Sequence, residues 1–195
     1  MKELTVGFIG YGNMAKAIAA SFAASDEIGA LQAYDVYAGA SDGNVVMCES
    51  ASALVSSSDI VFLSVKPQSA SEALAGLDFS GKIVVSIMAG TSIEKIKSMC
   101  AGAVKIVRVM PNLCARIGKS VNAFCPVGLD DGEIETVRDL LSCFGLTERF
   151  DESYFDIITG LTGSSPAYTF RYAKALTECG VKNGMTFEQA RDMSL

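Results

Sequence analysis

Short apolar runs alternate with amphipathic stretches along the first 150 residues. The runs at 4–10, 31–37, 60–65, 83–87, 105–109 and 121–125 are rich in Val, Ile and Phe without strict alternation. That is the texture of parallel strands covered by helices on both faces. Between them, 13–24, 69–75, 92–100 and 131–143 read as helices. Thr91-x-x-Glu94 and Ser69-x-x-Glu72 fit the capping box, in which each side chain bonds the other residue's free backbone N–H. The alternation predicts an α/β fold over 1–150, a doubly wound, mostly parallel sheet of Rossmann type carrying the dinucleotide-binding domain.

After Phe150 the texture changes. Residues 153–161 and 166–179 have helical patterning, with Ser165 as N-cap and Pro166 at the first helical position, where its missing N–H costs nothing. Gly180 then ends or kinks that helix. Thr186-x-x-Gln189 is a further capping box, opening a helix that runs to Leu195. Residues 151–195 are expected to form the N-terminal part of an all-helical second domain.

Composition narrows the function classes. The 195 residues carry a net charge of −6, with no clustered Lys or Arg, which argues against a nucleic-acid partner. There is no histidine, so the commonest metal ligand and general base are missing, and no metal site is expected. The six cysteines form no CxxC pair, and the N-terminus lacks a secretory pattern. The apolar runs fall short of the ~20 residues of a membrane span. A soluble, cytoplasmic protein with reduced, mostly buried thiols and a small-molecule substrate is expected.

Chemistry concentrates at the ends of the strands. Gly10-Tyr11-Gly12-Asn13-Met14-Ala15 follows a strand and opens a helix, the GxGxxA form of the dinucleotide fingerprint. Gly10 permits the tight turn, Gly12 lets backbone approach a pyrophosphate, and Ala15 lets helix and strand pack closely. Asp35 lies at the spacing of a ribose-binding acid, but the apolar register runs on through Val36-Tyr37-Ala38. The tip of the second strand is therefore placed at Gly39-Ala40-Ser41-Asp42, whose small residues leave room for a 2′-phosphate and favour NADP over NAD. Ser64-Val65-Lys66-Pro67, Met88-Ala89-Gly90 and Met110-Pro111-Asn112 fall at neighbouring strand ends, where open α/β sheets bind ligands. Asn112 either offers its amide to a ligand or caps a turn.

Together these residues resemble the pyrroline-5-carboxylate reductase family. The resemblance rests on GFIGYGNMAKAI (7–18), FLSVKPQ (62–68), SIMAG (86–90), RVMPN (108–112) and LTGSSPAY (161–168). It implies an oxidoreductase that reduces 1-pyrroline-5-carboxylate to L-proline with NAD(P)H, the last step of proline biosynthesis, and that assembles as a homo-oligomer built on dimers. By the same resemblance, Gly10, Tyr11, Gly12, Asn13, Met14, Ala40, Ser41, Val65, Lys66, Pro67 and Ala89 contact the cofactor, and Pro111, Asn112 and Ser164 face the substrate. Asp156 matches an acidic family position. The family has GSGPAY where this chain has Ser165, and an acid where it has Lys174. The stretch 39–58 is several residues short of a usual strand–helix–strand span. The family also continues for about 70 residues with a glycine- and threonine-rich loop, so no catalytic residue is assigned and little turnover is expected of these 195 residues. A related dehydrogenase of the β-hydroxyacid, prephenate or deazaflavin-linked type would share GxGxxA without MPN followed by GSxPAY. A non-catalytic dinucleotide-binding module is the remaining alternative.

Overall fold

The computed structural model describes residues 3–22, 25, 28–37 and 43–195. Eight strands form one sheet: β1 (Leu4–Ile9), β2 (Ile28–Tyr34), β3 (Val45–Met47), β4 (Ile60–Leu63), β5 (Ile83–Ser86), β6 (Lys105–Met110), β7 (Ser120–Val127) and β8 (Gly145–Arg149). Their order is β3-β2-β1-β4-β5-β6-β7-β8. All neighbours pair in parallel except β6 and β7, which run antiparallel.

Helices cover both faces. On one, α1 (Asn13–Phe22) and α5 (Asp131–Ser142) pack on Phe8, Phe62, Val85, Val107 and Phe124. Phe8, Phe22, Phe62 and Phe144 form the centre of that layer, with ring centroids 5.1–6.2 Å apart. On the other face, α2 (Ala51–Ser57), α3 (Ala70–Ala73) and α4 (Ile93–Met99) cover Ile9, Val61, Leu63, Val84 and Ile106. Successive residues of β4 thus enter opposite cores, which is why the strand reads as an unbroken apolar run.

Several elements differ from the sequence reading. The second strand spans Ile28–Tyr34 rather than 31–37, because its apolar tail continues into an exposed turn at Val36 and Tyr37. The periodicity signal missed β3 and α2, which are only three and seven residues long, and it missed the edge strand β8. The cap of α4 is Ser92, whose Oγ accepts from the Lys95 N–H, not Thr91. Ser69 makes no side-chain cap, because a 3₁₀ turn at Pro67–Ser69 already leads into α3. A full capping box that the sequence reading did not mark, Asp130 with Glu133, opens α5.

The chain then enters α6 (Phe155–Ile158), a π-helical turn at Thr159–Gly163, α7 (Ser165–Lys182) and α8 (Phe187–Ser194). Ser165 is the first residue of α7, not its cap; Ser164 holds the cap position without a side-chain bond. Gly180 neither ends nor interrupts α7. A Cβ there would lie 2.8 Å from that of Ala190 and 3.2 Å from Met185 Sδ, so glycine is what lets α8 pack against α7. Gly184, at φ +96°, makes the left-handed turn that follows. The Thr186–Gln189 capping box is present as read. Phe155 and Ile158 anchor this segment on Ala123, Met110 and Cys125 at β6 and β7. Among the described residues no helix is long and apolar enough to cross a membrane. No disulfide joins any of the six cysteines; only Cys100 is fully buried, Cys179 is exposed and the other four lie between.

Candidate dinucleotide site

The strand order reverses direction between β1 and β4, and both strands end in the candidate motifs. In open parallel sheets a crevice forms at such a point, beyond the carboxyl ends of the strands. Gly10 adopts φ +86°, and a Cβ on it would lie 2.8 Å from the backbone of Ser64 and Val65. No other residue type fits that turn. Its N–H donates to Tyr34 O, and Ile9 O accepts from Ser64 N–H, so the ends of β2, β1 and β4 are stitched side by side.

Gly12 and Asn13 are exposed, Met14 is half-buried, and Ala15 is buried against the sheet. A Cβ on Gly12 would touch nothing within 4 Å, so the space above the loop is open. The first-turn amides of α1 have no intrahelical acceptors and carry the positive end of the helix dipole. An open, backbone-lined cradle of amides at this crevice fits the pyrophosphate of a dinucleotide. Tyr11 does not face that space with its ring. The ring is buried beside Phe8, with Lys16 Nζ 5.4 Å from its centroid.

Asp35 immediately follows β2, so it stands at the tip of that strand, ahead of the 39–42 stretch read as the tip, which lies outside the described residues. One carboxylate oxygen accepts from Tyr11 N–H at 2.7 Å and the other from Tyr37 N–H at 2.8 Å. The glycine loop and the end of β2 are thereby locked together. The sequence reading missed this role, although the spacing from Ala15 had pointed to Asp35. Ala40 and Ser41 lie outside the described residues.

On the far side of the crevice, Val65 is half-buried, while Lys66 and Pro67 are exposed after β4 and Ala89 is exposed after β5. Pro111 and Asn112 are buried at the end of β6. The Asn112 amide donates to Thr162 O at 3.1 Å, and its side-chain oxygen accepts from Cys114 N–H at 3.0 Å. Its own N–H donates to Ser120 Oγ. Asn112 thus caps a turn, and its amide is spent on the π-helical turn before Ser164. Ser164 is half-buried there. Asp156 is exposed, and Lys174 faces Glu178 at 3.7 Å on the surface of α7.

Comparison with known proteins decides the lineage. Residues 152–195 match the pyrroline-5-carboxylate reductase dimerisation family, and residues 5–90 match the coenzyme F420-dependent NADP oxidoreductase family. The pyrroline-5-carboxylate reductase of Aquifex aeolicus is 36% identical over 98% of this chain and 74% of its own. That of Escherichia coli is 33% identical over 96% and 74%. The chain belongs to the pyrroline-5-carboxylate reductase family. Its fold agrees with solved members: the Plasmodium falciparum pyrroline carboxylate reductase with NADP bound superposes at a TM-score of 0.90, with 27% identity, over 100% of this chain and 75% of that one. The Streptococcus pyogenes enzyme superposes at 0.89 with 29% identity, over 97% and 74%. The chain spans about three quarters of the length of these reductases.

Proposed function

We propose that this chain reduces 1-pyrroline-5-carboxylate to L-proline with NAD(P)H, the last step of proline biosynthesis. The observation that carries this is the family membership over 98% of the chain, joined to an open glycine cradle at the switch point of the sheet. The cofactor is NADP(H), as in the Plasmodium relative. When bound, the dinucleotide supplies the hydride.

The protein's own residues bind and orient. Gly12, Asn13 and Met14 hold the phosphates through backbone amides, Gly10 and Tyr11 shape the turn with their own amides spent on Tyr34 O and Asp35, and Val65, Lys66, Pro67 and Ala89 line the nicotinamide side. Pro111, Asn112 and Ser164 form the substrate side, with Asn112 fixing the turn rather than gripping the ligand. An imine that enters already protonated brings its own proton, so a chain without histidine needs no strong base. Within this reading, 1–150 is the cofactor unit and 151–195 belongs to a dimerising, substrate-side unit. Helix α7 supports that division: Tyr168, Phe170, Tyr172 and Leu176 are exposed, and Thr177 is its only buried residue. A second copy of the chain is the partner that would cover it, giving a homo-oligomer in the cytoplasm.

The test is to add 1-pyrroline-5-carboxylate to the protein with NADPH. NADPH consumption matched by L-proline is the expected result, in place of the little turnover expected from the sequence. Oxidation of a β-hydroxyacid with no proline formed from the imine would overturn the reading in favour of a related dehydrogenase.

A further inference from the structure

Arg108 sits on β6, just before the Met110-Pro111-Asn112 turn, with its side chain 9% exposed. A buried guanidinium needs partners, since an uncompensated buried charge is strongly destabilising. Its Nη1 donates to Glu152 Oε1 at 2.8 Å, and its Cζ lies 4.6 Å from the centre of the Phe155 ring. The same Glu152 oxygen accepts from the Ile93 N–H at 2.7 Å. Three segments therefore meet at one carboxylate oxygen: the strand feeding the Pro111–Asn112 turn, the first residue of α4, and the chain entering α6.

The bond to Ile93 stands out because of where it lands. Residues 88–92 lead from Ile87, just past β5, to α4 and contain Ala89 and Gly90, both exposed, with Gly90 at φ +64°. Their other hydrogen bonds are local. Met88 N–H donates to Ser86 Oγ, Thr91 Oγ1 to Ala89 O, and Lys95 N–H to Ser92 Oγ. Among the described residues, Glu152 makes the only hydrogen bond that reaches 88–93 from a distant part of the chain. At the other end of the loop Ile87 N–H donates to Leu63 O at 3.2 Å, and Met88 and Thr91 are buried, so the Glu152 bond sets the α4 end of the exposed Ala89–Gly90 turn.

We propose that Glu152 is a positioning residue for the cofactor: from the helical segment it sets the Ala89–Ser92 loop against the nicotinamide end of the dinucleotide. This rests on the dinucleotide reading above. The adenosine end lies elsewhere, at β1 and β2, with β5 two strands from β1, roughly 10 Å across the sheet. Loss of Glu152 therefore affects the two ends of the ligand unequally, which a loss of general stability would not do.

The experiment titrates the full chain, and its Glu152→Ala and Glu152→Gln variants, with NADPH and with 2′-phospho-ADP-ribose, which lacks the nicotinamide. Amide exchange at 89–93 is followed in parallel. Glu152→Ala is expected to weaken NADPH five- to tenfold, leave 2′-phospho-ADP-ribose within twofold, and speed exchange at Ile93. Glu152→Gln keeps an acceptor for the Ile93 N–H and should restore part of the NADPH affinity; it also carries the test if the alanine variant does not fold. Equal weakening of both ligands, or unchanged NADPH binding with faster exchange at Ile93, overturns the proposal. If the unmodified chain binds neither ligand, the dinucleotide reading itself falls and the proposal with it.

Discussion

At the scale of single residues, the crevice is built by side chains doing unlike things. Gly10 is demanded by the fold, through a positive φ and backbone 2.8 Å away. Gly12 is demanded by nothing in the protein, since a Cβ there meets open space. Asp35 is spent on the amides of Tyr11 and Tyr37. Cys100 is of a third kind: it is 1% exposed, and burial pushes its thiol up to about 12. An unfolded thiol titrates near ~8.5. Its contribution to stability is thus fully present below ~8.5 and is lost as the pH rises toward 12, reaching about 2 kcal/mol near pH 10. Urea unfolding at pH 7 and pH 10 checks this: the loss over that interval should be smaller in Cys100→Ala, and an identical loss would refute it. The fingerprint glycines and the strand-end motifs were legible in the sequence because their spacing encodes backbone geometry directly. The Arg108–Glu152–Ile93 contact was not, because residues 44 and 59 positions apart leave no local signal.

Among the elements, those with a strong period were readable and the short ones were not. α5 and the buried strands β4, β5 and β6 follow from apolar runs and helical spacing, whereas β3 has three residues and no room for a period. The described part of 39–58, a stretch read as several residues short of a strand–helix–strand span, holds both β3 and α2, three and seven residues long. Glycine misled the reading at α7. Sequence logic treats Gly180 as a terminator, but its missing side chain is the seat of Ala190 on α8. Gly180→Ala would gain up to ~1 kcal/mol of helix propensity, yet it drives a methyl to 2.8 Å from Ala190 and should cost about 1–3 kcal/mol net. In α5, a Cβ at Gly132 meets only Asp130 Oδ1 at 3.4 Å, so Gly132→Ala should be neutral or stabilising. Thermal unfolding of the two variants measures the contrast, and a stabilised Gly180→Ala would refute the packing account.

Over the whole molecule, the parts differ in how fully they are enclosed. The sheet has a core on each face, and Arg108, Glu152 and Phe155 tie the helical segment to its far end. Helix α7 is the reverse, an element with aromatic residues facing outward, including Phe170 at 60% and Tyr172 at 68% exposure. That surface becomes intelligible as part of an assembly, in keeping with the match of 152–195 to a dimerisation family. The sequence marks the turn to helical patterning after Phe150. It could not carry the contact between the units, which exists only once β6, α4 and the entry to α6 are brought together.

The most direct test of the account is to titrate NADPH into the unmodified chain and into Gly12→Ala. Saturable binding to the unmodified chain is expected, with at least tenfold weaker binding to Gly12→Ala at an unchanged unfolding temperature, because the added methyl fills ligand space and touches no protein atom within 4 Å. Equal affinity in the two proteins, or no binding to the unmodified chain, would contradict a dinucleotide held by the Gly10–Met14 loop.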